Sequence, residues 1–111
     1  MKDELLAHLH DIREAVLAIK IFIEGKSFGD YLDDDLLRSA VERKFEIVGE
    51  ALNRIKRISP DNLERIRDHR DIISFRNILI HGYNSIDDRI VWDIIAEDLD
   101  RLLEDVNELF E

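Results

Sequence analysis

Leu5, Leu9, Ile12, Val16, Ile19 and Ile23 recur at intervals of four, three, four, three and four residues. That rhythm keeps every apolar side chain on one side of an α-helix, whereas a strand would need alternation. Leu37, Val41, Val48, Leu52 and Ile55 form a second such face, and Ile95, Leu99, Leu102, Val106 and Leu109 a third. With one Pro and four Gly among 111 residues, little interrupts these helices. The spacing predicts a first helix over residues 2–24, stopped at Gly25. A short connector, GKSFGDYLDDD, follows with Phe28 or Tyr31 as its aromatic anchor. A second helix covers 35–58, and Ser59-Pro60 is a start signal for a short helix over 61–67. A further helix over 71–80 ends at Gly82. Ser85 to Asp88 resembles a capping box that opens a last helix reaching Leu109. The expected fold is all-α: one domain over residues 1–111, an antiparallel four-helix bundle with an additional short helix.

The chain contains no cysteine, which excludes a disulfide scaffold, a thiolate zinc site and a cysteine nucleophile. No apolar run is long enough to span a membrane, and the amphipathic, acid-opened N-terminus is unlike a signal peptide. A cytoplasmic location is therefore expected. His8 and His10 face different ways on a helix, and Asp33, Asp34 and Asp35 lack the glycine of a calcium loop, so no metal is expected. A net charge of −10 argues against a general nucleic-acid coat. The charge is uneven, however. Residues 54–81 hold seven Lys/Arg against four acids, while residues 87–111 hold ten acids against two arginines. A confined polyanion site and a set of solvated helix faces both fit that strip.

The helix over 71–80 is apolar on several sides: Ile72, Phe75 and Leu79 on one, Ile73, Ile78 and Ile80 on others. Such a helix needs a second cover, most simply another copy of the chain, so a homodimer with this helix near the two-fold axis is expected. Its end reads FRNILIHGY, with Arg76 and His81 five residues apart, about 140° around the helix. Buried arginine needs a partner, and Glu50 in the apolar phrase IVGEAL is a candidate. The alternative is a surface that uses the charge. A histidine at a helix C-terminus can simply cap it, or can serve as an acid/base beside a guanidinium that holds phosphate. Asn77 and His81, four apart, share a face.

Arg76-Asn-Ile-Leu-Ile-His81-Gly-Tyr83 resembles the RxxxxHxY motif of the HEPN superfamily and looks like the HepT toxin family. AVERKFEIVGEALNRI, RDIISFRN and VWDII are similar to the family pattern as well, so the resemblance covers most of the chain. It implies a homodimeric, metal-independent endoribonuclease whose two motifs line an interface cleft. It also implies a toxin paired with a nucleotidyltransferase antitoxin. By position, Arg76 would hold the scissile phosphate, and His81 would be general acid or base for 2′-hydroxyl attack. Asn77 would orient the imidazole or phosphate, with Glu50 supporting Arg76. Tyr83 would contact RNA or accept AMP, while Arg43 and Arg70 are candidates for phosphate contact or for surface ion pairs. No cofactor is implied. A non-catalytic module binding nucleotide, RNA or a partner is the other class that the acidity suggests.

Overall fold

The computed structural model describes residues 2–81 and 86–111. Among them seven helices follow one another: α1 (Lys2–Ile23), α2 (Phe28–Asp33), α3 (Asp35–Ile58), α4 (Pro60–Leu63), α5 (His69–His81), α6 (Asp88–Glu97) and α7 (Leu99–Leu109). The described residues contain no strand, as the helical spacing predicts. Leu9, Ile12, Val16 and Ile19 of α1 are buried against α3, whose Leu37, Val41, Val48, Leu52 and Ile55 are buried in turn. Leu5 and Ile23, at the ends of the α1 seam, are half-buried. Each fully buried Leu, Ile or Val favours the fold by about 1.5–3 kcal/mol, before the entropy of ordering is subtracted. Phe45 of α3 meets Phe75 of α5 edge to face at 5.4 Å, so α5 rests on the flank of α3.

Three elements differ from the sequence expectation. The connector holds α2, because Ser27 and Asp30 make a capping box: the Ser27 hydroxyl accepts from Asp30 N at 3.1 Å, and the Asp30 carboxylate accepts from Ser27 N at 2.9 Å. This short helix carries Tyr31 fully into the core, 5.4 Å from the Trp92 ring, while Phe28 stays half-buried. The expected last helix is two helices, interrupted at Asp98. There the backbone departs to φ −107°, yet the flanking ladder survives, with Asp98 N donating to Ile94 O at 2.9 Å. The seam through Ile95, Leu99, Leu102 and Val106 therefore stays buried across the break. Asp87 caps α6 by accepting from Arg89 N. The expected stop at Gly82 and cap at Ser85 lie outside the described residues.

The short helix ends at Leu63 rather than at 67, because the next stretch is drawn to α7. Buried Asp105 accepts from Arg67 N at 2.9 Å and from its guanidinium at 2.8 Å. Arg101 in return holds buried Asp68 through two bonds of 2.8 Å. With Ile66 fully buried between them, these two arginine–carboxylate forks fix the chain entering α5. The helix bearing the motif thus starts from an anchored point.

Candidate active site

On α5, Ile72 and Phe75 are buried and Leu79 is half-buried, while Ile78 and Ile80 are 51% and 42% exposed. The helix is covered on the α3 side, and its other apolar face is open in a single copy of the chain. Arg70, Ser74, Asn77 and His81 follow at i, i+4, i+7 and i+11, and all four are exposed. At 3.6 residues per turn this spacing forms one polar stripe along the open side of α5.

Arg76 stands off that stripe, on the flank toward α3, and is half-buried. Its aliphatic stem lies directly against Gly49 of α3. From there the guanidinium reaches over to the stripe, where Nη1 donates to Asn77 Oδ1 at 3.2 Å. Its Nε is buried without a hydrogen-bond partner among the described residues. An unpaired buried donor costs about 1–3 kcal/mol, so the site holds this arginine at some expense. His81 is the exposed last residue of α5 as described.

The other expected site residues fall as follows. Glu50 follows Gly49 on α3, and its carboxylate accepts from Arg54 Nη2 at 2.8 Å, one turn along the same helix. Arg76's hydrogen bond among the described residues goes to Asn77 instead. Arg43 pairs with Glu46 at 3.4 Å on the surface of α3. Arg70 is on the polar stripe, 3.9 Å from Glu64. Tyr83 lies outside the described residues. Within the basic strip, Arg67 is engaged by Asp105 and Glu104, and Arg54 by Glu50, so part of its charge is neutralised internally. A surface hollow of about 490 Å³ lies among Glu24, Lys26, Asp30, Asp33, Asp34 and Asp35, whose net negative charge repels a polyanion.

Gly49 is the residue that sequence reasoning passed over. The signal was present: glycine inside a helix costs about 1 kcal/mol relative to alanine, so it marks a close approach by something.

Chemically, the stripe offers an exposed imidazole, and the adjacent guanidinium has an amide on one nitrogen. Arg76 and His81 leave one straight helix about 140° apart, so a phosphate gripped by both would sit against the α5 end or between two such helices.

A family model described as "Ribonuclease HepT-like" matches residues 12–109. The chain is 34% identical over 105 residues to the "Probable ribonuclease HepT" of Thermococcus cleftensis, covering 92% of each chain. It is 30% identical over 105 residues to the Methanocaldococcus jannaschii protein named "Putative RNase MJ1380", covering 95% of each. A third relative, named "Putative RNase TTE0752" from Caldanaerobacter subterraneus, is 29% identical over 89 residues, 80% of this chain and 79% of its own. No solved structure matches the chain.

Proposed function

The chain belongs to the HepT-like ribonuclease family and is an endoribonuclease, and from that premise we propose that Arg76 and His81 carry its chemistry at a cleft between two copies. The observation supporting this reading is the open face of α5, which presents half-exposed Ile78 and Ile80 beside the Arg70–Ser74–Asn77–His81 stripe. Two such faces brought together cover the isoleucines and set the two motifs opposite each other. Each copy contributes residues 1–111 as one antiparallel four-helix unit, with α6 and α7 acting as a single arm.

In this cleft His81 takes the proton of a ribose 2′-hydroxyl, and the 2′-oxygen attacks the adjacent phosphorus. Arg76 donates to the non-bridging oxygens, whose charge grows in the transition state. The 5′-oxygen leaves with a proton, supplied by a second imidazole or by water, and the product strand ends in a 2′,3′-cyclic phosphate. The reaction is metal-independent in this reading and requires RNA. Asn77 holds the guanidinium, while Arg70 and Arg43 extend the phosphate contacts and Glu50 shapes the α3 flank.

The protein acts as the toxin of a toxin–antitoxin pair. A nucleotidyltransferase antitoxin silences it by placing AMP on the Tyr83 hydroxyl. The added phosphodiester charge then repels RNA phosphate.

The test is end-group analysis of RNA cut by the purified protein. A 2′,3′-cyclic phosphate is expected, with no cut where the scissile nucleotide is 2′-deoxy. Cleavage at a 2′-deoxy position would overturn the mechanism.

A further inference from the structure

Gly49 lies in the middle of α3, a helix of 24 residues whose hydrogen-bonded ladder makes no demand for glycine. The space beside it explains its presence. A Cβ at Gly49 would stand 2.3 Å from Arg76 Cβ and 2.5 Å from Arg76 Cγ, both far inside van der Waals contact. Neither atom is the loose end of a side chain. Arg76 Cβ is fixed by the α5 backbone, and α5 is itself anchored by the Phe45–Phe75 contact and by the arginine–carboxylate forks at its entry. Alanine at position 49 therefore has two ways out: α5 lifts from α3, or the Arg76 stem swings away from it. Either movement changes where the guanidinium is delivered.

We infer that Gly49 is a positioning residue for Arg76: the bare α3 backbone is the floor on which the arginine stem lies, and it aims the guanidinium at the stripe that bears Asn77 and His81. This inference rests on the catalytic reading of Arg76. Three features of the same side chain support it. The stem is pressed on Gly49, the Nε is buried without a partner among the described residues, and among those residues the guanidinium's acceptor is Asn77 Oδ1, at 3.2 Å from Nη1. An arginine held only for packing would gain by turning its Nε to water. This one is confined so that its outer nitrogens face the open side of α5. The floor sets direction and Asn77 sets rotation. Their effects appear in turnover rather than in substrate capture, since distant phosphate contacts are left in place.

The experiment compares wild type, Gly49→Ala, Arg76→Gly and the double variant in the full chain. Gly49→Ala is expected to lower kcat about 100-fold with KM changed less than threefold, while helical content and native mass stay as in wild type. In the Arg76→Gly background, Cβ and Cγ are gone. Adding Gly49→Ala there is expected to hold Tm or raise it by a few degrees, since alanine favours the helix, and to leave the residual cleavage rate within twofold. Wild-type turnover by Gly49→Ala would overturn the inference. So would an equal loss of Tm on adding alanine in both backgrounds, which would make the glycine a packing requirement independent of the arginine. If Gly49→Ala alone fails to fold, the double variant still decides, because it folds only if the arginine stem is what the methyl strikes. Full activity in Arg76→Gly would instead sink the catalytic reading of Arg76, leaving the steric relationship readable from Tm.

Discussion

Arg76 Nη1 donates to Asn77 Oδ1 across 3.2 Å, although consecutive side chains leave a helix about 100° apart. Asn77 therefore meets the guanidinium, where the resemblance implied that it would orient the imidazole or phosphate. A hydrogen bond to a charged group contributes about 1.5 kcal/mol, or roughly tenfold in rate when it acts on the transition state. Asn77→Ala is expected to lower kcat by about tenfold at wild-type native mass, measured on a short RNA. An unchanged kcat would show that the stem alone sets the guanidinium.

The open face of α5 gives a second expectation. Ile78 is half-exposed in one copy of the chain, so Ile78→Glu removes little from the core. It places a carboxylate in the proposed interface, where desolvating an unpaired charge costs several kcal/mol. Light scattering should show half the wild-type mass, circular dichroism should be unchanged, and cleavage should be lost. A variant that stays dimeric would move the interface elsewhere.

How much of this was legible in the sequence depends on the kind of contact involved. The seams through Leu9–Ile19 and Leu99–Val106 could be read because helical period alone determines which side chains face inward. The interruption at Asp98 was hidden by the same continuity, since the seam crosses it in register. α2 was readable in principle from Ser27 and Asp30, but Asp in place of the usual Glu and a glycine at 29 made the stretch look like a loop. Arg76 and His81 could be singled out as polar residues in an apolar helix, and their 140° separation followed from spacing. The Gly49–Arg76 contact joins residues 27 apart in the chain, and no local pattern encodes it. Likewise the Asp105–Arg67 fork became visible only once α7 and the chain after α4 were placed together.

Tyr31 yields a stability prediction. Its ring is fully buried against Trp92, and its hydroxyl is buried without a partner among the described residues. Burial pushes the phenol's pKa up, with Glu42 and Asp88 adding to the shift, so the hydroxyl remains neutral. Tyr31→Phe removes a polar group that earns no bond and keeps the ring. Tm is expected to hold or rise by a few degrees. A fall of more than about 5 °C would reveal a hydrogen bond to that hydroxyl.

Asp105 sets part of the acid limb. Its burial favours the neutral acid, but the bonds from the Arg67 side chain and backbone outweigh this and hold the carboxyl below its ordinary value. A carboxyl lowered in the folded state stabilises fully above its unfolded pKa, near 3.9. That contribution is lost as pH falls through the lower folded value. Burial raises Glu42 and Asp98, which act in the opposite sense and are common to both proteins compared. Asp105→Asn should therefore cost about 2 kcal/mol, roughly 10 °C of Tm, at pH 7, with the gap closing as pH falls below the unfolded value and through the lower folded one. A gap independent of pH would mean that packing, and not the ion pair, is what the aspartate supplies.

Cleavage rates for wild type, Arg76→Ala and His81→Ala, read on one RNA beside the native mass of each, bear most directly on the whole account. Losses of about 100-fold or more in both variants are predicted, at wild-type mass and helicity. Retention of the wild-type rate by either variant would contradict it.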